Sequence, residues 1–391
     1  MFSDRTNWRL AQNRFTQAVE VVRAQGGKIF DLTASNPTRV GLEYDATEIL
    51  GAFGTRRSLD YDPQAKGLLS ARLAVSGYYS ELCGGDGREV DPERIVLTTS
   101  TSEGYSYVFR LLCNAGDELL VPKPSYPLFE FLADLQDVKL VPYPLIYDHG
   151  WQVDFPSMEK AVTARTRGVV VVHPNNPTGS YVHASEMGQL NEFCRVHGLA
   201  LIVDEVFLDY GLDELKHSTF TANQDALTFT LSGLSKISAL PQMKVAWVVT
   251  SGPEDHVDSA MARLEVIADT YLSMNAPVQC AVPVMLEQRK NMQRQLMERV
   301  RANLTELDGQ LAGQSATQRL QVEGGWYAVL RVPVTRSDEE LAIELVQQKS
   351  VVVHPGHFYD FPQDGYLVVS LITAEDEFVE GVSRTLHYLN A

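Results

Sequence analysis

The feature that most constrains this chain is a series of short apolar segments separated by stretches with helical spacing. Residues 95–98, 118–121, 169–172, 199–203, 227–231 and 245–249 are such segments. Several of them, including Val169-Val170-Val171-Val172, have no polar alternation, as expected of strands covered on both faces. Between them lie helical patterns such as 185–197, which stops at Gly198. Strands that alternate with helices need crossover connections, so the middle of the chain is predicted to build a mostly parallel α/β sheet flanked by helices.

The two ends read differently. Leu10, Phe15, Ala18, Val19 and Val22 recur near helical spacing and Gly26-Gly27 supplies a stop, followed by an extended stretch at 29–33 and the loop Ala34-Ser35-Asn36-Pro37. Toward the other terminus a long charged helix over 287–311 precedes strand candidates at 325–332, 351–354 and 366–371 and a last helix at 375–389. These ends predict a smaller α+β unit formed by 1–45 and 281–391, beside a large unit at 46–280.

Composition narrows the function classes. Fifty acidic against 33 basic residues leave a formal charge of −17, which disfavours a nucleic-acid partner, since phosphate backbones call for clustered Lys and Arg. Cys83, Cys113, Cys194 and Cys280 have no paired spacing, so neither a zinc site nor a disulfide framework is expected. The first residues, MFSDRTNWRL, contain charges and no apolar core of a secretory signal, and no apolar run approaches bilayer-spanning length; a soluble cytoplasmic protein is expected.

Four motifs fall at strand ends, where open α/β sheets bind ligands. Thr98-Thr99-Ser100-Thr101-Ser102-Glu103 leads from a strand into a helix; hydroxyls and free N–H groups there suit an anion, although an ordinary helix cap would use the same residues. His173-Pro174-Asn175-Asn176-Pro177-Thr178-Gly179 follows the valine run and offers an amide that can donate to a ring phenolate, or simply ends the strand. Asp204 stands at the tip of Leu201-Ile202-Val203, where a carboxylate is either a strand terminator or the partner of a cation such as a protonated pyridine nitrogen. Ser232-Gly233-Leu234-Ser235-Lys236 places a lysine in a turn after another strand. Alone it would be a solvated lysine; among an anion cradle, an amide and a carboxylate it becomes a candidate Schiff-base amine.

With PNNPTG at 174–179, IVDEVF at 202–207 and LSK at 234–236 in this order, the chain resembles the fold type I pyridoxal-phosphate enzymes, specifically the class I/II aminotransferases, over nearly its whole length. The resemblance implies an aspartate aminotransferase-like fold, with a seven-stranded-type sheet in the large domain, and pyridoxal 5'-phosphate as cofactor. Residue by residue, it implies that Lys236 forms the covalent link to the cofactor, that Asp204 pairs with the pyridine nitrogen and that Asn176 lies beside the ring 3-oxygen. It sets Ser100, Thr101, Ser102 and Ser235 at the phosphate, Tyr126 on the ring face, and Ser35 and Asn176 toward the substrate. Tyr61 matches a tyrosine that reaches the neighbouring subunit's phosphate, which implies a homodimer with shared active sites.

Three positions depart from the family pattern. Lys244 stands where an arginine usually holds the phosphate, which keeps the charge and loses the bidentate fork. Phe207 replaces a tyrosine that donates to the 3-oxygen. Val368 occupies the position of the arginine that binds the substrate α-carboxylate; Arg39, four residues beyond Ser35, is a candidate substitute, and a substrate without that carboxylate is the other possibility. The activity implied is ping-pong transfer of an amino group between an amino acid and a 2-keto acid, with Lys236 moving the proton. Lyase, decarboxylase and synthase reactions also occur on this scaffold, and a non-catalytic cofactor-binding sensor is a further alternative. Trp326, Tyr327, His357, Phe358 and Tyr359 hint at an aromatic wall on the substrate side.

Overall fold

A computed structural model of the chain describes residues 1–8, 10–83, 89–213, 218–272 and 274–390. The predicted central sheet is present and has eight strands. In spatial order they are Ile95–Thr98, Ala246–Ser251, Thr228–Gly233, Ala200–Asp204, Thr166–Val172, Glu118–Lys123, Lys139–Tyr147 and Trp151–Val153. The interior pairs from Thr228–Gly233 through Lys139–Tyr147 are parallel. Ala246–Ser251 runs against both its neighbours, and the three-residue Trp151–Val153 runs against Lys139–Tyr147 at the edge. All the strands anticipated in this region form, with ends shifted by a few residues at most. The two at the Lys139 edge are additional.

The unbroken valine run is explained by packing on both faces. Val170, Val172 and Ile202 face Tyr105, Val108 and Phe109 of the helix Thr101–Leu112, together with Val257 and Leu264 of Glu254–Tyr271. Val169, Val171, Leu201 and Val203 face Leu190, Phe193 and Cys194 of Ala184–His197 and Met158 of Phe155–Ala161. Each such fully buried aliphatic side chain contributes roughly 1.5–3 kcal/mol, so a polar residue in either register would oppose the sheet. Gly198 closes the helix Ala184–His197 at φ +65°, the left-handed cap expected of it.

The smaller unit has a four-stranded antiparallel sheet in the order Gln318–Arg319, Tyr327–Arg331, Tyr366–Ser370, His354–Pro355. The 351–354 segment is divided: Val351–Val352 pairs in parallel with Phe30–Asp31, and His354–Pro355 joins the four-stranded sheet. The first helix spans Arg14–Ala24 and buries Phe15, Ala18, Val19 and Val22, whereas Leu10 lies outside it and is exposed, a correction to the predicted helical stripe. Asn13 caps that helix by accepting from the Thr16 N–H, which fixes its start downstream of Leu10. Met292, Leu296, Val300 and Leu307 of Arg289–Leu311 share a core with Phe15 and Phe378, while Ala281, Val282 and Met285 pack with Tyr79 and Trp247 of the large unit. We therefore place the second boundary between the units near residue 288.

The two units are joined beside the PNNPTG loop. The Glu323 and Gly324 N–H groups both donate to the Gly179 carbonyl (3.2 and 2.9 Å), and the Gly325 N–H donates to the Tyr210 carbonyl (2.9 Å). Gly179 is at φ +69°, and a Cβ there would lie 2.5 Å from the Gly324 oxygen. The close approach thus requires glycine on steric grounds alone. No helix among the described residues is long and apolar enough to cross a membrane.

Candidate active site

The carboxyl ends of the parallel strands deliver their motifs to one cavity of about 460 Å³. Ser35, Thr101, Tyr126, Asn176, Asp204, Ser235 and Lys236 all line it. Asp204 is the last residue of its strand, and the turn after it points the Val206 N–H back at Oδ1 (3.1 Å). Oδ2 accepts from the Tyr105 hydroxyl at 3.0 Å. Burial nevertheless dominates, pushing the carboxyl up from 3.8 to about 6, with these two hydrogen bonds and the Lys236 charge pulling back.

Lys236 lies in the short helix Leu234–Ile237, whose position is fixed by a hydrogen bond from the Tyr210 hydroxyl to the Lys236 carbonyl (2.6 Å). Its amine lies 4.9 Å from the Trp326 ring centre and 5.5 Å from that of Phe207, and 3.5 Å from the Ser35 carbonyl. In these apolar surroundings burial lowers the ammonium from 10.5 to about 8, opposed by the Asp204 charge. A lysine tuned this way supplies free amine near neutral pH.

The two asparagines of the PNNPTG loop have separate tasks. Asn175 donates to the Pro124 carbonyl (3.1 Å) and to Thr178 Oγ1 (2.9 Å) and accepts from Ser125, so it builds the loop. Asn176 Oδ1 is buried and has no partner among the described residues. That oxygen is an acceptor and suits a donor group of a ligand, whereas the Nδ2 of the same amide is the donor that a ring oxygen needs.

The remaining predicted residues divide. Ser100 caps the helix Thr101–Leu112, its hydroxyl accepting from the Glu103 N–H at 3.2 Å and keeping its own O–H to donate, and it does not line the cavity. Ser102 lies in the first turn without lining the cavity. Lys244 is exposed, at φ +55°, two residues before the lining residue Ala246. Tyr61 is 85% exposed and does not line the cavity of its own chain. Arg39 is exposed, lines no part of the cavity and has no ion-pair partner among the described residues; its closeness to Ser35 in sequence does not bring it to the site.

Of the aromatic candidates, Tyr327, Phe358 and Tyr359 line the cavity, Trp326 stands over Lys236, and His357 is exposed and outside it. Val368 is fully buried in the strand Tyr366–Ser370, in register with Val329 and His354. No arginine lines the cavity among the described residues. Two further positions at the cavity escaped the sequence. Tyr105, one helical turn beyond Thr101, holds Asp204; His354, just before Pro355-Gly356, lines the cavity. The spacing of Tyr105 from the hydroxyl motif could have suggested it; for His354 there was no comparable signal.

The donor set fits pyridoxal phosphate: an amine, a carboxylate tied in place, an amide, and hydroxyls beside a helix N-terminus. Comparison with known proteins agrees. The family model described as aminotransferase class I and II matches residues 46–377. Glutamate-pyruvate aminotransferase AlaA of Escherichia coli is 27% identical over 377 residues, covering 94% of this chain and 91% of that protein. Alanine aminotransferase of Mycobacterium tuberculosis is 27% identical over 379 residues, covering 94% and 87%. Among solved structures, alanine aminotransferase from Pyrococcus furiosus superposes with a TM-score of 0.89 at 20% identity over all of both chains. An Escherichia coli aminotransferase gives 0.87 at 24% identity, covering 100% of this chain and 98% of that one. With the motifs, the fold and the family match in agreement, this chain belongs to the class I and II aminotransferases.

Proposed function

We propose that the protein moves an amino group between an amino acid and a 2-keto acid in a ping-pong reaction that uses pyridoxal 5'-phosphate. The observation that carries this is the pairing of a Lys236 amine lowered to about 8 with Asp204 in one cavity, beside the Asn176 amide. Pyridoxal phosphate, when bound, supplies an electron-accepting ring that lets the α-carbon of the donor release its proton.

The chain's own residues would do the rest. Lys236 would hold the cofactor through its amine, and that amine, when free, would take the proton from the substrate's α-carbon as a base and give it up again as an acid. Asp204, ionised above about 6, keeps a proton on the ring nitrogen, and Tyr105 keeps Asp204 in place. The Asn176 Nδ2 would donate to the ring oxygen, where Phe207 brings no hydroxyl. Thr101, Ser102 and Ser235 with the helix N-terminus and Lys244 take the phosphate, Ser100 acting through the cap it forms. Tyr126 covers the ring. The exposed Tyr61 is assigned to the site of a second copy, in a cytoplasmic homodimer.

Borohydride reduction of the cofactor-loaded protein followed by peptide mapping tests the assignment. The label is expected on Lys236, and an amino acid mixed with a 2-keto acid should exchange its amino group without release of ammonia or carbon dioxide. A label on another lysine, or ammonia as the product, would overturn the reading.

A further inference from the structure

The cavity has an unusual charge inventory. Among the described residues that line it, only Lys236 and His354 can carry a positive charge, and Lys236 is committed to the chemistry. The strand Tyr366–Ser370 presents Leu367, Val368 and Val369, all fully buried, and offers no cation.

His354 stands directly across the sheet from Val368. Residues opposed in an antiparallel pair place their side chains on the same face, with Cβ atoms about 4.5–5.5 Å apart. The imidazole therefore occupies the neighbouring column to the position where the resemblance predicts arginine. Its Nδ1 is 3.0 Å from the Tyr359 hydroxyl, whose oxygen has no other hydrogen-bond partner among the described residues. In the neutral tautomer that carries its proton on Nε2, Nδ1 accepts from the phenol, whose O–H thereby gains an acceptor. Nε2 makes no hydrogen bond to any described residue. Burial holds the imidazole down at about 4, against the pull of Asp31, so at neutral pH it is an uncharged donor.

We propose that His354 is the substrate-recognition group of this site, donating from Nε2 to the carboxylate on the reacting carbon, with Tyr359 as the positioning residue that sets its tautomer. The inference rests on the aminotransferase reading and deepens it. A neutral donor selects for an acceptor oxygen by direction rather than by charge, and it leaves the aromatic walls, Tyr327 and Phe358 among them, to meet the rest of the substrate.

The test is a spectral titration of the cofactor-loaded protein with L-alanine and with ethylamine, which lacks the carboxylate. His354→Leu is expected to weaken L-alanine roughly 10–100-fold, the range for losing a hydrogen bond to a charged group, and to change ethylamine less than about 2-fold. His354→Gln, which keeps an N–H donor, should recover most of the L-alanine affinity, and Tyr359→Phe should lose part of it. Melting temperatures of the variants establish that each is folded. Equal weakening of both ligands by His354→Leu, or unchanged L-alanine binding, would overturn the assignment while leaving the aminotransferase reading intact. A wild-type spectrum that responds to neither amine would overturn that reading, and this inference with it.

Discussion

Tyr105→Phe is expected to move the acid limb of cofactor binding upward by one to two pH units. The phenol provides the one hydrogen bond to Asp204 Oδ2 among the described residues, at 3.0 Å, while Oδ1 keeps its bond from Val206. A hydrogen bond to a charged group is worth about 1.5–3 kcal/mol, and 1.36 kcal/mol corresponds to one pKa unit. Without it, Asp204 should rise from about 6 to about 7–8. The ring itself stays, so its edge-on contacts with Phe109 (5.8 Å) and Phe129 (5.2 Å) are retained and the fold should be undisturbed. At pH 6 the wild-type carboxyl is about half ionised and the variant's about one tenth to one hundredth. Affinity of cofactor-free protein for pyridoxal phosphate should then fall roughly 5–50-fold at pH 6 and by less than about 1.2-fold at pH 9. The measurement is a set of titrations between pH 5 and 9, followed by tryptophan quenching. The variant-to-wild-type ratio of Kd cancels the cofactor's own ionisations. A ratio that does not change with pH would refute the role given to Tyr105.

Three further outcomes are expected. Glu205 is buried without a cationic partner among the described residues and is pushed up from 4.5 to about 8, although the Phe220 N–H and Thr219 hydroxyl hydrogen-bond to it. The folded state keeps this proton while the unfolded chain loses it, so wild-type stability falls as pH rises from about 4.5 to about 8. Glu205→Gln should remove that slope, its advantage growing to roughly 4–5 kcal/mol by pH 8 in denaturant melts; parallel pH profiles would contradict this. Gly179→Ala should cost about 2–5 kcal/mol in the same melts, because φ is +69° and the new methyl meets the Gly324 oxygen at 2.5 Å; a loss under about 1 kcal/mol would show the contact to be soft. In cofactor-free protein, modification of Lys236 by an aldehyde should level off near pH 8 instead of 10.5, and Asp204→Asn should move that midpoint lower still, since Asp204 is what pulls the ammonium up.

What the sequence revealed and what it hid follow from the same physics. Val169 to Val172 declared a strand because both faces are covered by helices, and Asp204 stood out because it ends such a run. Lys139–Tyr147 was missed because it is half exposed near the edge of the sheet and its apolar residues are interrupted by Pro142 and Pro144, which read as strand breakers. Trp151–Val153 is too short to register a period. Lys236, Asp204 and Asn176 were legible as motifs because each stands at or just beyond the end of a strand, where its residue type serves little structural purpose. Tyr105 and His354 were not, since an aromatic in a helix or a histidine in a strand serves packing equally well, and only the topology brings them to Asp204 and the cavity. Arg39 misled for the opposite reason. Nearness along the chain to Ser35 suggested nearness in space, but the short helix Pro37–Arg39 leaves it on the surface.

The seam at Gly179 has a mechanical consequence. Three main-chain hydrogen bonds from residues 323–325 enter the loop that carries Asn176 and the segment that follows Asp204, and the same residues lead straight into Tyr327 on the cavity wall. A shift of the antiparallel sheet that kept these bonds would have to drag the amide and the carboxylate along with it. The Ser35 loop belongs to the same tethered wall, since the Ser370 N–H donates to the Leu32 carbonyl (2.7 Å) and the Ser370 hydroxyl to the Ala34 carbonyl (2.5 Å). The ring-binding groups are thereby held at a fixed distance from the wall behind them.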